Sequence, residues 1–337
     1  MISRAVCSYV RLPTAHYEVN KGLQFFVSGV IMCARSLCAI KFQKEINMSN
    51  YNLVSYEQDG PVLVITLNQP EALNALTPPM EGELHAALEQ GDRDESIRSI
   101  ILTGAGRGFS SGYNISQNSS EEGDAAPDEE EVADQRQKWN SSLRNPDMLM
   151  HIMQLSKPVI AAIDGWCIGG GFWYSLACDI TIASERAVFA QPEVRMISNS
   201  SVLFALLCGW KNAHRYALTG DHFDAQEALR IGVVNEVVPH EKLMDHVKAL
   251  AQRLAQVPRE SVRVNKMMTT YALEAMGLRN ALNVNAFLST IVRSTTDRSD
   301  VAHLDKARLE GGFRAFLEAR DGPFMPEPFG PRSKPRE

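Results

Sequence analysis

The stretch Asp164-Gly-Trp-Cys-Ile-Gly-Gly-Gly-Phe-Trp-Tyr-Ser-Leu-Ala-Cys-Asp179 sets three consecutive glycines where a strand gives way to a helical run. Glycine lets a ligand approach the backbone closely, and unpaired N–H groups at a helix start favour negative charge. On one side stands Pro158-Val-Ile-Ala-Ala-Ile163 and on the other Ile180-Thr-Ile182, both short, apolar and rich in β-branched residues, which predicts strands. Upstream, Val62-Leu-Val-Ile-Thr-Leu67 and Ile100-Ile-Leu102 read the same way. The latter leads into a second glycine-bearing turn, Gly104-Ala-Gly-Arg-Gly-Phe-Ser-Ser-Gly-Tyr-Asn-Ile115. Between the first two strands, Thr77-Pro78 signals a helix start, and Met80, Leu84 and Leu88 repeat on one face. Strands alternating with helices predict a β/α layered domain.

Beyond Val238 the strand signals stop. Leu243, Val247, Leu250 and Leu254 form one helical stripe, a second helical region runs from Pro258, and a third runs from about Ala272 to Val292. The Pro- and Gly-rich tail from Asp321 predicts irregular structure. The chain thus divides into an N-terminal extension (1–47), a core (48–240) and a helical C-terminal region with its tail (241–337).

Composition bounds the function. With 45% hydrophobic and 22% charged residues over 337 positions, the chain is an ordinary globular protein, and no apolar run reaches the roughly 18–20 residues that span a bilayer. A net charge of −6 argues against a broad nucleic-acid surface. The extension departs from this balance, since its six Lys/Arg against two Glu make it basic. It reads either as an organellar presequence or as a mis-called start, with translation beginning at Met48; Lys44-Glu45 can be encoded by a ribosome-binding string. Ser116 to Gln135 carries eight Asp/Glu and no Lys or Arg, the composition of a mobile loop. The six cysteines lack metal-ligand or CxxC spacing and read as reduced thiols, which points to the cytoplasm, or to the mitochondrial matrix if residues 1–47 are a presequence.

Neither glycine turn is a Walker loop or a dinucleotide fingerprint. Taken in order with Leu67-Asn-Gln-Pro-Glu-Ala-Leu-Asn-Ala-Leu76, Lys157-Pro-Val-Ile-Ala-Ala162, Gln191-Pro-Glu193 and Leu218-Thr-Gly-Asp221, however, they resemble the crotonase superfamily of enoyl-CoA hydratases and isomerases over about residues 50–295. The resemblance implies an α/β fold, a spiral of ββα units with a helical C-terminal trimerisation region, assembled as a homotrimer or dimer of trimers. It implies an acyl-CoA substrate, and an oxyanion hole from the backbone N–H groups of Ser111 and Gly170. Such donors suit the chemistry: removing a proton beside a thioester carbonyl places negative charge on that oxygen, and each preorganised donor is worth on the order of 3 kcal/mol. Ser111, Gly112, Tyr113 and Asn114 would line the coenzyme A pocket, with Asn114 where the family commonly has Asp, and Lys266 is a candidate phosphate partner.

The sequence also departs from the family pattern. Family hydratases add water with two glutamates. Glu193 stands at the second position, but Trp173 replaces the first, one helical turn beyond Gly170, and indole cannot accept a proton. The Gly- and Pro-rich stretch that usually follows is absent from Val194-Arg-Met-Ile-Ser-Asn-Ser-Ser201, and the segment to Leu218 is shorter than usual. The resemblance then favours isomerase-type proton transfer by Glu193 alone, unless Arg195 pairs with that carboxylate and lowers its basicity. The alternatives are hydration, C–C or thioester cleavage of an unusual acyl-CoA, and a non-catalytic acyl-CoA-binding protein. Tyr113, Tyr174 and His151 are further polar groups that could reach the acyl end, and Trp173 would border the substrate. The scattered histidines suggest no metal, and no cofactor is expected beyond the coenzyme A of the substrate.

Overall fold

The computed structural model of the chain describes residues 51–115, 146–196, 202–295, 299–328 and 330–333. The N-terminal extension, the acidic run 116–135 and the last residues of the segment after Glu193 lie outside the described residues.

Each strand expected from the sequence forms. They are β2 (Val62–Leu67), β3 (Ser99–Gly104), β5 (Val159–Ile163) and β7 (Ile180–Ser184). With β1 (Val54–Asp59) and β10 (Glu236–Val238) they make one six-stranded sheet in the order β1-β2-β3-β5-β7-β10, parallel except for the β1–β2 pair. Alternation along the strands sorts its side chains. Leu63, Ile65, Ile100, Leu102, Val159 and Ala161 point into the main core, while Val62, Val64, Ile101, Ile160 and Ile182 point to the other face. That second face is covered by α7 (Leu243–Gln256), which buries Leu243, Val247 and Ala251 on it. On the core side lies α1 (Pro78–Arg93), started by Thr77, whose hydroxyl accepts the Met80 N–H at 3.3 Å. A cap of this kind contributes about 1 kcal/mol.

A second sheet was not legible from the sequence. Each long strand of the middle of the chain is followed within a few residues by a short one: β4 (Gly108–Ser110) after β3, β6 (Trp166–Ile168) after β5, and β8 (Val188–Ala190) after β7. These pair in the order β4-β6-β8-β9, with β4, β6 and β8 parallel and β9 (Phe223–Asp224) antiparallel on the edge. Helix α2 covers the described residues 146–154, α3 is Gly170–Ala177, α4 is Val202–Cys208, α5 is Trp210–Ala217 and α6 is Ala225–Ile231.

The C-terminal part is helical, with one boundary displaced from expectation. Residues 272–275 complete α8 (Arg259–Ala275), and α9 (Leu278–Thr295) begins only beyond Gly277. Gly277 has φ 96°, a left-handed conformation that ends the helix while its N–H bonds back to the Glu274 carbonyl. An unexpected α10 (Ala302–Asp321), broken at Gly312, follows. The tail after it is irregular, as its composition suggests. Among the described residues no helix is long and apolar enough to cross a membrane. Cys167, Cys178 and Cys208 are free thiols.

Candidate active site

The second sheet builds the site. Because β4, β6 and β8 lie side by side and parallel, the three segments leaving their C-terminal ends emerge side by side as well. These are Ser111–Gly112–Tyr113, the Gly169–Gly170 turn into α3, and Gln191-Pro192-Glu193. Strand spacing of about 4.8 Å places three chemically distinct segments within roughly 10 Å of one another.

Glu193 lies in a short 3-10 turn, Pro192–Arg195, and its carboxylate points back onto the neighbouring glycine turn. A methyl group on Gly169 would sit 2.4 Å from Glu193 Oε1. Glu193 Oε2 is buried and has no hydrogen-bond partner among the described residues. Burial pushes the Glu193 carboxyl up to about 7, opposed only partly by its own backbone hydrogen bond and by the charge of Arg320. A carboxylate poised near neutrality suits a general base.

Gly170 opens α3, and among the described residues no acceptor takes its N–H. Gly112 packs directly on this turn: a Cβ there would lie 3.1 Å from the Gly170 nitrogen. The structure therefore unites the two glycine segments. It also modifies the expectation for Ser111, whose N–H donates to the Leu73 carbonyl at 2.9 Å. Leu73 and Asn74 hold left-handed conformations (φ 50° and 52°) that aim this carbonyl at Ser111. In this state Gly170 is the unoccupied donor and Ser111 the occupied one. Tyr113 lies over Gly170, where an added Cβ would meet its ring carbons at 2.6 and 2.8 Å, and Trp173 packs edge-on to Tyr113 with centroids 6.0 Å apart. Trp173 is thus buried against Tyr113, one helical turn beyond Gly170. Asn114 is exposed, with its N–H bonded to the Leu76 carbonyl.

A family model for enoyl-CoA hydratase/isomerase matches residues 57–326. The chain belongs to the enoyl-CoA hydratase/isomerase family. A putative enoyl-CoA hydratase of Thermus thermophilus is 31% identical over 266 residues, covering 78% of this chain and 97% of that protein. An (E)-benzylidenesuccinyl-CoA hydratase of Thauera aromatica is 31% identical over 272 residues, covering 79% and 96%. Among solved structures, an enoyl-CoA hydratase/isomerase from Xanthobacter autotrophicus Py2 superposes with a TM-score of 0.71 at 30% identity, covering 82% of this chain and 99% of that one. These relatives and the sheet architecture establish the crotonase fold and an acyl-CoA enzyme.

Two expectations for this family member need correction. Lys266 is not available to a phosphate. Its ammonium is buried and donates to the Ile152 and Lys157 carbonyls (3.1 and 3.0 Å) and to Asp179 Oδ2 (2.7 Å), so its three donors are matched by three acceptors. Lys266 fastens α8 to the core and is structural. Nor does Arg195 pair with Glu193. It turns the other way, fully buried, onto Asp221, Asp321 and Glu327, donates to the Thr219 carbonyl, and stacks on Phe324 at 4.2 Å. Glu193 keeps its basicity for that reason.

The sequence reading missed Glu81 and His85. Tyr174 donates to Glu81 Oε1 at 2.8 Å, and His85 Nε2 lies 3.0 Å from the Tyr174 hydroxyl. The signal was present: Glu81, His85 and Glu89 recur every four residues beside the apolar Met80, Leu84, Leu88 stripe, which puts a polar seam at the edge of a buried helix face.

The contact between Gly169 and Glu193 gives a direct expectation. Gly169→Ala adds a side chain where φ is +55° and where the methyl meets the carboxylate, so the base must move. Turnover is expected to fall at least tenfold, with kcat rather than KM carrying the loss. An unchanged kcat would show that the carboxylate works from another position.

Proposed function

We propose that this acyl-CoA enzyme isomerises an enoyl thioester. Glu193 removes a proton from the carbon beside the thioester carbonyl, the Gly170 N–H receives the developing oxyanion, and the proton is returned two carbons along. The observation that carries this reading is the buried, raised carboxyl of Glu193 against the Gly169–Gly170 turn, together with Trp173 where a hydratase has its other glutamate. For the thioester oxygen to gain its second donor, the Ser111 N–H must leave Leu73 O or share it when substrate enters. Side chains and backbone carry the reaction, with coenzyme A entering as part of the substrate.

Incubating the protein starting at Met48 with 3-hexenoyl-CoA in heavy water tests this. The expected result is a 2-enoyl product, with deuterium uptake beside the thioester. A product heavier by one water would support the second reading, hydration, which the names of both relatives favour. No product despite tight binding would point to cleavage of another acyl group or to a binding protein.

The assembly belongs to the same reading. Met267, Met268 and Tyr271 on α8 and Val284, Phe287 and Leu288 on α9 are exposed apolar residues, an arrangement suited to burial between subunits. Sedimentation is expected to give a trimer or its dimer. A monomer at micromolar concentration would remove this part of the proposal.

A further inference from the structure

Behind Tyr113, a chain of hydrogen-bonding side chains runs from the acyl end to the surface. The Tyr113 hydroxyl lies near the Glu81 carboxylate and feels its charge and that of Glu193. Burial, then Glu81, then Glu193, hold that hydroxyl well above its ordinary value, so it stays a protonated donor. Glu81 accepts from Tyr174 at 2.8 Å, the Tyr174 hydroxyl meets His85 Nε2 at 3.0 Å, and His85 Nδ1 meets His151 Nδ1 at 2.8 Å. His151 Nε2 then meets Glu89 Oε2 at 3.0 Å, and Glu89, half exposed, also pairs with Arg93.

Counting hydrogens shows what this chain can do. The four contacts from Glu81 to Glu89 need four hydrogens. A neutral tyrosine and two neutral imidazoles supply three, and ionised carboxylates supply none. The chain as built therefore holds one extra proton. That proton can reside on Glu89, His151, His85 or Glu81 with every heavy atom in the same place, because each move only reverses the direction of a hydrogen bond. An array that tolerates its charge at either end, one end wet and the other beside the reacting groups, is a proton path.

We propose that Tyr113 is a second proton-transfer group at the acyl end, and that Glu81, Tyr174, His85, His151 and Glu89 reload it from solvent. The proposal rests on the enolate chemistry above and alters one step of it: the returned proton comes through Tyr113 rather than from Glu193. The Tyr113 O–H bond breaks as the enolate electron pair forms a C–H bond. Glu81, protonated by way of Tyr174, passes its proton to the Tyr113 oxygen after a half-turn of the carboxyl that exchanges its two oxygens. Tyr174 is reprotonated by His85, His85 by His151, and the last proton enters from water at Glu89. Each turnover takes one proton in at Glu89 and releases to water, as product leaves, the one that Glu193 removed from the substrate, so no proton is consumed overall.

The test follows deuterium at the distal carbon of the 2-enoyl product made from 3-hexenoyl-CoA in heavy water. The unaltered protein is expected to place solvent deuterium there in nearly every turnover. Tyr113→Phe is expected to be slower by roughly 10²-fold and to return mostly the substrate's own hydrogen from Glu193. His151→Ala, which opens space near the surface, is expected to lose a similar factor and to regain it when free imidazole is added. Hexanoyl-CoA binding is expected to be unchanged by His151→Ala. A loss that imidazole does not restore, or unchanged rate and label in Tyr113→Phe, would overturn the relay while leaving Glu193 as base. If the unaltered protein makes no product, the enolate reading fails, and nitrogen-15 spectra of the two imidazoles judge the relay separately. Three protonated ring nitrogens of the four near neutral pH support the extra proton, and two overturn it.

Discussion

Glu193→Gln is expected to lower enoyl-CoA turnover by roughly 10²- to 10⁴-fold while hexanoyl-CoA, which cannot react, binds as before. The amide matches the carboxylate in shape but cannot accept the proton. The pH dependence follows from burial. With the carboxyl raised to about 7, the base is half ionised near neutrality, so kcat/KM of the unaltered enzyme is expected to rise through pH 7 and level off above it. The same shift acts on stability with the opposite sense. The folded protein holds this proton over the interval in which the unfolded chain has released it, so stability falls as pH rises from 4.5 to about 7 and stays lower beyond. The cost is on the order of 3 kcal/mol. Gln carries none of it, and the variant is expected to melt above the parent at pH 8 but not at pH 4. Retention of turnover by Glu193→Gln would transfer the base role elsewhere; equal melting at pH 8 would mean that water reaches the carboxylate.

Arg195→Met is expected to be the most destabilising single change near the site. The arginine side chain is 1% exposed and meets three carboxylates, those of Asp221, Asp321 and Glu327. Removing one partner of a buried ionic cluster costs about 3–5 kcal/mol, because the remaining charges stay buried without it. For a domain of this size, the melting temperature is expected to drop by on the order of 10 °C. Burial pushes Asp321 up, but Arg320, Arg195 and Arg332 outweigh it and hold that carboxyl below the usual range. Glu327 is likewise raised by burial and lowered more strongly by His222 and Arg195. Depressed carboxyls stabilise the fold above their ordinary values and lose that contribution as pH falls through the folded ones. The melting curves of parent and variant are therefore expected to converge on acidification. Equal melting at pH 7 would show that His222, Arg320 and Arg332 hold the carboxylates without Arg195.

How much of this was legible in the sequence depended on the range of the signal. The strands of the large sheet announced themselves through runs such as Val62–Leu67, because a strand buried on both faces must be continuously apolar. The short strands β4, β6 and β8 were not readable: three residues are too few to carry a period, and they exist because they pair with one another. The glycine turns and Gln191-Pro192-Glu193 named the site, since backbone conformation there demands particular residues. What the sequence could not give was orientation. Arg195 was a neighbour of Glu193 along the chain, yet its partners at 321 and 327 were set by a tail that composition alone marks as irregular. Lys266 read as a candidate phosphate partner until Asp179 and two carbonyls closed around it. Tyr174 and His151 were singled out individually, but only folding joined them through His85.

The Arg195 cluster also bears on the order in which the protein is made. Arg195 is separated from Asp321 by 126 residues and from Glu327 by 132, and it sits two positions beyond the base. On the ribosome, the half-built chain has its sheets and its glycine turns well before it has the anions that seat this arginine. At 5–20 residues per second, roughly ten seconds or so pass between the two events. Throughout that interval the guanidinium has a single acidic neighbour from its own region, Asp221. A chain cut short before residue 321 is expected to lack two of the three carboxylates that seat Arg195.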